Sequence, residues 1–194
     1  MKQIIPALII GLISFTTYGQ VGKELVISIA TGKLTSPYYL KSKFGAFYNI
    51  DFDYHLSQRN VLSVNYNDGV HNYYDNVRST DPNYIKSDGT NSKANYRIFS
   101  VLYKYKFLNG DAISGAIGTG AGIMTHSLSY PFVVATGSNF RESTWSDLVF
   151  PVRFEFDYKI SKSFRLGVIG GFYVHPEYPI LAYHVGTRFG YILK

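Results

Sequence analysis

A histidine and a serine stand next to each other at positions 126 and 127, and carboxylates follow further along the chain. A serine hydrolase needs a nucleophilic serine, a base and an orienting acid within hydrogen-bond reach. The candidates for these roles are His126, Ser127, Ser129, Glu142 and Glu177. Their chemistry would be acyl transfer, if the elements that carry them bring them together.

Other patterns look like ligand sites but do not fit them. The glycine run 118–122 resembles a phosphate-binding loop, yet the dinucleotide pattern needs a glycine where Ile123 stands and a helix after it. The segment 65–69 resembles a calcium loop but has the wrong spacing and no closing glutamate. There is no cysteine, and the five histidines have no metal-ligand spacing on one element: His55, His71, His126, His175 and His184. We therefore expect no cofactor and no bound metal.

Charged residues of both signs alternate with apolar ones in several segments. Asp51 and Asp53 alternate with Ile50 and Phe52, and the same pattern recurs near residue 154. Successive side chains of a strand point to opposite faces, so one face is apolar and the other charged. Six charges on the polar faces form the candidate functional set, an ion network: Asp51, Asp53, Lys104, Arg153, Glu155 and Arg188.

This period of two predicts strands rather than helices. Eight are expected, at about 23–32, 42–56, 61–73, 95–108, 112–125, 146–160, 164–175 and 181–193. Short turns at 57–60, 109–111 and 161–163 alternate with longer polar loops at 33–41, 74–94, 126–145 and 176–180. Transmembrane barrels show this alternation, with short periplasmic turns and long outer loops.

A soluble sandwich would also alternate, so length and aromatic content decide between the two folds. Soluble strands usually have about 5–6 residues, whereas a tilted membrane strand needs about 9–11. Aromatic residues make up 17% of the chain, with 18 Tyr and 14 Phe. The expected periplasmic girdle is Phe52, Tyr54, Phe107, Phe156, Tyr158, Phe164, Phe189 and Tyr191, and the expected outer girdle is Tyr38, Tyr39, Phe44, Tyr73, Tyr74, Trp145, Phe172 and Tyr183. We predict an all-β fold, an eight-stranded antiparallel up-and-down transmembrane β-barrel, with a secreted soluble barrel as the alternative.

The first nineteen residues are expected to be a signal peptide. Lys2 precedes an apolar stretch from Ile4 to Phe15, and Thr17 and Gly19 are the small residues of a cleavage site. The barrel domain is then expected to span residues 20–194.

In layout the chain resembles the small eight-stranded outer-membrane β-barrels of the OmpX and OmpA type. The resemblance implies a monomer in the outer membrane of a Gram-negative bacterium. It also implies recognition of the last strand by the barrel-assembly machinery; Phe189, Tyr191 and Leu193 keep the alternation there, although the last residue is Lys194. Lipid A deacylases have a similar fold, but their pattern places His two residues before Ser, with Asn next, whereas here His126 adjoins Ser127 and Leu128 follows.

These observations leave several functions open. Eight strands leave an interior that side chains fill, and strands two and six face each other, so Asp51 and Asp53 should approach Arg153 and plug the lumen. Strand five is expected to present only small inward residues, which would leave room for these charges. The main expectation is a non-enzymatic structural or surface-interaction role through the outer loops, which could bind an extracellular ligand. The alternatives are a lipid A-modifying enzyme and a narrow porin-like ion channel.

Despite a net charge of +6 and a pI of about 9.3, export argues against nucleic acid as a partner. Outer cations are expected to contact outer-membrane lipids and lipopolysaccharide: Lys33, Lys41, Arg78, Lys86, Lys93 and Arg141.

Overall fold

A computed structural model describes residues 24–38, 42–73, 92–134, 137–177 and 180–193, with backbone only for 130–134 and 137–141. The expected signal peptide and most of the loop 74–94 lie outside these residues. The eight strands are β1 (Leu25–Thr35), β2 (Gly45–His55), β3 (Asn60–Tyr73), β4 (Ser92–Asn109), β5 (Ile113–Val134), β6 (Gly137–Lys159), β7 (Phe164–Val174) and β8 (Ala182–Leu193). No helix in the described ranges is long and apolar enough to cross a membrane.

Each strand pairs antiparallel with the next one along the chain, and β8 pairs with β1 to close a barrel. When the pairing is followed once around the ring from Leu25, it returns to β1 at Thr35. This stagger of ten residues means that the strands are strongly tilted, as barrel closure requires. The predicted fold class, strand number and topology are confirmed.

The alternation in the sequence becomes the two surfaces of the wall. On β2, Ile50 and Phe52 are exposed on the outside, whereas Asp51 and Asp53 between them are buried inside. A soluble protein buries its apolar face, so an apolar exterior around a polar interior is the surface pattern of a barrel surrounded by lipid. Tyr73 and Trp145 are exceptions to the expected outer girdle, because Tyr73 is buried in the lumen and Trp145 pairs with the inward-facing His126. Tyr39 and Tyr74 of the expected girdle lie outside the described residues.

The main difference from the predicted elements lies between β5 and β6. Residues 126–145 were expected to form a loop, but β5 continues to Val134 and β6 starts at Gly137, with paired backbones. Residues 142–144 are exposed on both faces of the hairpin, and hydroxyl groups pair on its surface. With both faces in water, apolar residues need not recur at period two, so the pattern that reveals a half-buried strand is missing here. We call Ser127–Thr144 the outer hairpin.

Candidate functional site

The ion network lies within the lumen, where the strands bring together all six residues of the candidate set. Lys104 on β4 places its Nζ 2.9 Å from Asp53 Oδ1 and 2.6 Å from Glu155 Oε1. Arg188 on β8 is 2.6 Å from Asp53 Oδ2 and 3.2 Å from Glu155 Oε2. A seventh member is Asp157, whose Oδ2 accepts a hydrogen bond from Arg188 Nη1 at 2.5 Å.

The remaining two members of the set are Asp51 on β2 and Arg153, which reaches the network from β6 on the opposite wall of the barrel. Its Nη1 donates to Asp51 Oδ1 at 2.7 Å and lies 3.7 Å from Glu155 Oε1. Asn65 on β3 also donates to Asp51 Oδ1 at 2.5 Å, and Ser100 donates to Asn65 at 3.2 Å, which fixes the amide. The carboxylates therefore accept from several donors, which offsets part of the desolvation cost of burying charge.

Small residues make room for these long side chains. Arg153 is flanked in the sheet by Gly118 on β5 and Gly171 on β7. A Cβ at Gly118 would lie 2.8 Å from Lys104 Cγ, so only glycine lets the lysine stem pass this close to β5. The expected set of small inward residues on β5 is present up to Gly122, but Met124 and His126 continue the same face with large buried side chains.

The outer half of the lumen differs from the expected polar interior. A buried apolar layer lies there, built from inward residues nearer the outer strand ends: Leu34, Phe47, Ala94, Tyr96, Ile98, Met124, Val149, Tyr173 and Ala182. Phe47 shows why. It has the same inward parity as Asp51 and Asp53, but it lies nearer the outer end of β2, where the inward residues are apolar. The interior thus has an ionic layer toward the periplasmic end and this apolar layer above it.

Stacked rings form the top of the apolar layer. Tyr96 stacks between His71 and His126, with ring centroids 5.6 and 4.5 Å away, and Trp145 meets His126 edge-on at 4.4 Å. His71 Nε2 lies 3.2 Å from the Tyr96 hydroxyl. Among the described residues no three His, Asp or Glu side chains are grouped to hold a metal ion. Sequence reasoning missed this layer, and its only signal was aromatic residues on the inward parity.

The hydrolase candidates do not come together. His126 is buried in the lumen, while Ser127 is on the other face of β5, where its Oγ lies 2.9 Å from Thr144 Oγ1. Ser129 pairs with Glu142 across the outer hairpin, and the backbone of Glu177 donates to His175 at 3.1 Å. Serine and base therefore point to opposite sides of the wall.

A cavity of about 190 Å³ opens at the periplasmic mouth, below the ionic layer. Lys106 lines it and donates to His55 Nδ1 at 3.3 Å, and Arg165 lies 3.4 Å from Glu24. Lys159 and Asp111 also line the cavity, so its cations and acids nearly balance. It is a solvated vestibule of mixed charge.

The comparisons with known proteins agree with this geometry. No family model and no curated protein matches the sequence. Among solved structures, the chain is similar to Ail, the attachment invasion locus protein of Yersinia pestis, in a complex with the heparin analogue sucrose octasulfate, at a TM-score of 0.58 and 12% identity over 89% of this chain and 100% of Ail. It is also similar to Neisserial surface protein A, with a TM-score of 0.58 and 12% identity over 89% and 98% of the two chains.

A third similar structure is the outer membrane protein OprG of Pseudomonas aeruginosa, at a TM-score of 0.55 and 14% identity, covering 88% of this chain and 97% of OprG. At such identities the likeness concerns the fold. The expected resemblance to small outer-membrane barrels is confirmed at that level. A chain with this fold and with an apolar, lipid-facing exterior is a protein of the outer membrane.

Proposed function

We propose that the barrel is a closed, non-enzymatic scaffold in the outer membrane that presents the outer hairpin for interaction at the cell surface. The observation that carries this proposal is the length of β6. It pairs with β7 only from Phe150 to Lys159, whereas its pairing with β5 continues to Gly137.

The outer hairpin therefore has an open edge. From Gly137 to Val149 the side of β6 that faces away from β5 pairs with no strand in the described ranges. Such an edge offers unpaired backbone N–H and C=O groups, to which an extended segment of a partner can add as a further strand. The described side chains of Glu142, Ser143 and Thr144 on this strand are polar and exposed, so this part of the edge lies in water, where an extracellular ligand can reach it.

Truncation of the hairpin tests this role. Residues 130–141 are replaced by an Asn-Gly turn, which suits a two-residue hairpin connection between Ser129 and Glu142. Cells that carry the full chain should adhere to surfaces coated with an extended peptide rich in β-branched residues, which can add as a strand, and truncated cells should adhere no better than cells with empty vector. Heat-modifiable mobility shows that the truncated barrel is inserted. Equal adhesion of the two strains would contradict the role of the hairpin. A variant in which residues 76–92 are deleted serves as the comparison for the loop 74–94.

We further propose that the lumen does not conduct ions, because the ionic and apolar layers close it in series. Purified protein in planar bilayers should show no unitary openings. Well-defined openings would instead favour the narrow porin-like channel.

A lipid A-modifying activity has no support from the positions of His126 and Ser127. Lipid A mass spectra of cells with and without the protein should show the same acylation.

Export and assembly are proposed to follow the expected route. The mature chain would begin at Gln20, which N-terminal sequencing of the purified protein checks. The exposed side chains of Phe189, Tyr191 and Leu193 on β8 form the row that the barrel-assembly machinery would recognise. Gel filtration with light scattering should show a single barrel per detergent micelle, as expected for a monomer.

A further inference from the structure

Two lysines point into the lumen from the same face of β4, but they have different partners. The Nζ of Lys104 lies 2.6–3.8 Å from three carboxylates of the ionic layer: Asp51, Asp53 and Glu155. The Nζ of Lys106 lies 3.3 Å from His55 Nδ1, and no carboxylate in the described ranges is within ion-pair distance of it. Lys106 is nevertheless only 7% exposed. Because a buried ammonium group without an anionic partner is unfavourable, this position favours the neutral amine.

Lys106 lies at the periplasmic mouth, at the level of a turn and outside the membrane-spanning part of β4. Its backbone amide donates to the carbonyl of Arg59, in the turn 57–60, at 2.7 Å. Burial, together with the positive charge of Arg165, lowers the pKa of the Lys106 ammonium group to about 8. Near neutral pH a substantial fraction of this side chain is therefore a neutral amine, which is a nucleophile.

The acids around Lys106 have other partners. Two carboxylates of the ionic layer act on it, but both are bound by other cations of that layer: Asp53 and Asp157. In the vestibule, Glu24 lies 3.4 Å from Arg165. The other titratable side chains that line the vestibule, within the described residues, are His55, Asp111 and Lys159. A negative charge formed on Lys106 would thus share the cavity with the cations Arg165 and Lys159, and the cavity of about 190 Å³ admits small molecules from the periplasm.

We propose that Lys106 is a carbamate-forming site, at which the neutral amine takes up carbon dioxide dissolved in the periplasm. The Nζ lone pair forms a bond to the carbon of carbon dioxide, the electrons of one C=O π bond move to its oxygen, and Nζ releases one proton to water. The side chain then carries a carboxylate in place of an ammonium group, and Arg165 and Lys159 stabilise it. This site lies at the opposite end of the barrel from the outer hairpin, so it is independent of the proposed surface role.

Trapping of the carbamate tests this assignment. Residues 20–194, folded in uncharged detergent micelles, are equilibrated with ¹³C-labelled bicarbonate at pH 8 and treated with triethyloxonium, which converts a carbamate into a stable ethyl ester. Mass spectrometry of the digest then locates the label. The α-amino group of the chain, with a pKa of about 7.7–8.0, reacts in the same way and is the positive control. Lys162, exposed in the turn 161–163, is the control lysine.

In the folded protein we expect roughly tenfold or more label at Lys106 than at Lys162, because burial keeps a larger fraction of the Lys106 amine neutral. Unfolding in denaturant should remove this excess and leave the label at the α-amino group. At a constant concentration of dissolved carbon dioxide, the label at Lys106 should increase from pH 6 to pH 9, because the amine loses its proton over this range.

Two variants separate the Lys106 carbamate from other signals in ¹³C spectra of the protein. Lys106→Gln should lose one carbamate resonance, and Lys162→Gln should keep it. Heat-modifiable mobility verifies that each variant is folded, and Lys106→Arg replaces Lys106→Gln if the latter does not fold. Equal label at Lys106 and Lys162 in the folded wild type, while the α-amino group is labelled, would overturn the proposal. An excess at Lys106 that persists in the unfolded chain would also overturn it, because the vestibule would then have no part in the reaction.

Discussion

Arg153 on β6 and Asp51 on β2 join opposite walls of the barrel through a contact of 2.7 Å between Nη1 and Oδ1. The two residues are 102 positions apart in sequence, and their side chains are 1% and 0% exposed. Neither charge has water to replace its partner. The pair therefore fixes which strands face each other, and the burial makes each residue costly to leave alone.

Removing one member of this pair should be strongly destabilising. We expect Arg153→Met to lower the free energy of unfolding by about 3–5 kcal/mol, because it leaves the Asp51 carboxylate buried without its main cation. The double variant Asp51→Leu with Arg153→Met should lose less unfolding free energy than Arg153→Met alone, because neither the Asp51 carboxylate nor the Arg153 guanidinium is then left buried without the other. Urea unfolding in detergent micelles, followed by heat-modifiable mobility, measures these differences.

The exposed pair Arg97 and Asp68 is the control for this prediction. With 3.9 Å between its atoms and solvent on both side chains, its removal should cost less than about 1 kcal/mol. If Arg97→Gln destabilises the barrel as much as Arg153→Met, the burial argument is wrong.

Gly118 should not tolerate a larger side chain. In Gly118→Val the new Cβ would meet the Lys104 stem and displace its ammonium group from Asp53 and Glu155. We expect a loss of about 1–3 kcal/mol in unfolding free energy, as for other overpacked sites. Ala121→Val on the same strand adds the same kind of bulk on the exposed outer face and should be nearly neutral. A similar loss in both variants would mean that added bulk on either face of β5 destabilises the barrel, and that crowding within the lumen is not the cause.

Two closures in series make a specific prediction for conductance. Lys104→Ala opens only the ionic layer, and Phe47→Ala with Tyr173→Ala opens only the apolar layer. We expect neither variant to show unitary openings in planar bilayers, and the combination of all three substitutions to show them. Openings in Lys104→Ala alone would show that the apolar layer does not close the lumen.

Closure of the ring by β1 and β8 can be tested with cysteines, because the chain has none. Ile29 and Phe189 are Cα partners across this seam and are exposed on the outside. Ile29→Cys with Phe189→Cys should form a disulfide under mild oxidation in membranes, since paired strands place Cα atoms within its range. Ile29→Cys with Phe99→Cys, on distant β4, should not. Cross-linking of both pairs, or of neither, would contradict the closed ring.

The period of two was sufficient to predict most of the fold. It places Asp51, Asp53, Arg153 and Glu155 on inward faces, because apolar neighbours mark the lipid side. The alternation does not reveal a strand when both of its faces contact water, as in the outer hairpin at Ser127 and Thr144. There the backbone pairing continues without any hydrophobic alternation.

The contacts within the lumen were less predictable than the faces. Parity places Phe47 and Tyr73 on inward faces. Asp51 and Asp53 further along the same face as Phe47 favoured a polar lumen, and the position of Tyr73 near a strand end favoured an outer girdle. The partner of each charge depends on the ten-residue stagger of the ring, which no single strand encodes. For this reason Arg188 could be placed in the lumen from sequence, whereas its contacts with Asp53 and Asp157 could not.

The most direct test of the central claim is the solvent in which the mature chain folds. Purified residues 20–194 are diluted from denaturant into detergent micelles and, in parallel, into buffer without detergent. The account predicts strand-rich circular dichroism and a fast-migrating, heat-modifiable band in micelles, with aggregation in plain buffer, because the apolar exterior needs a lipid-like surrounding. A folded, monomeric and soluble chain in plain buffer would contradict it.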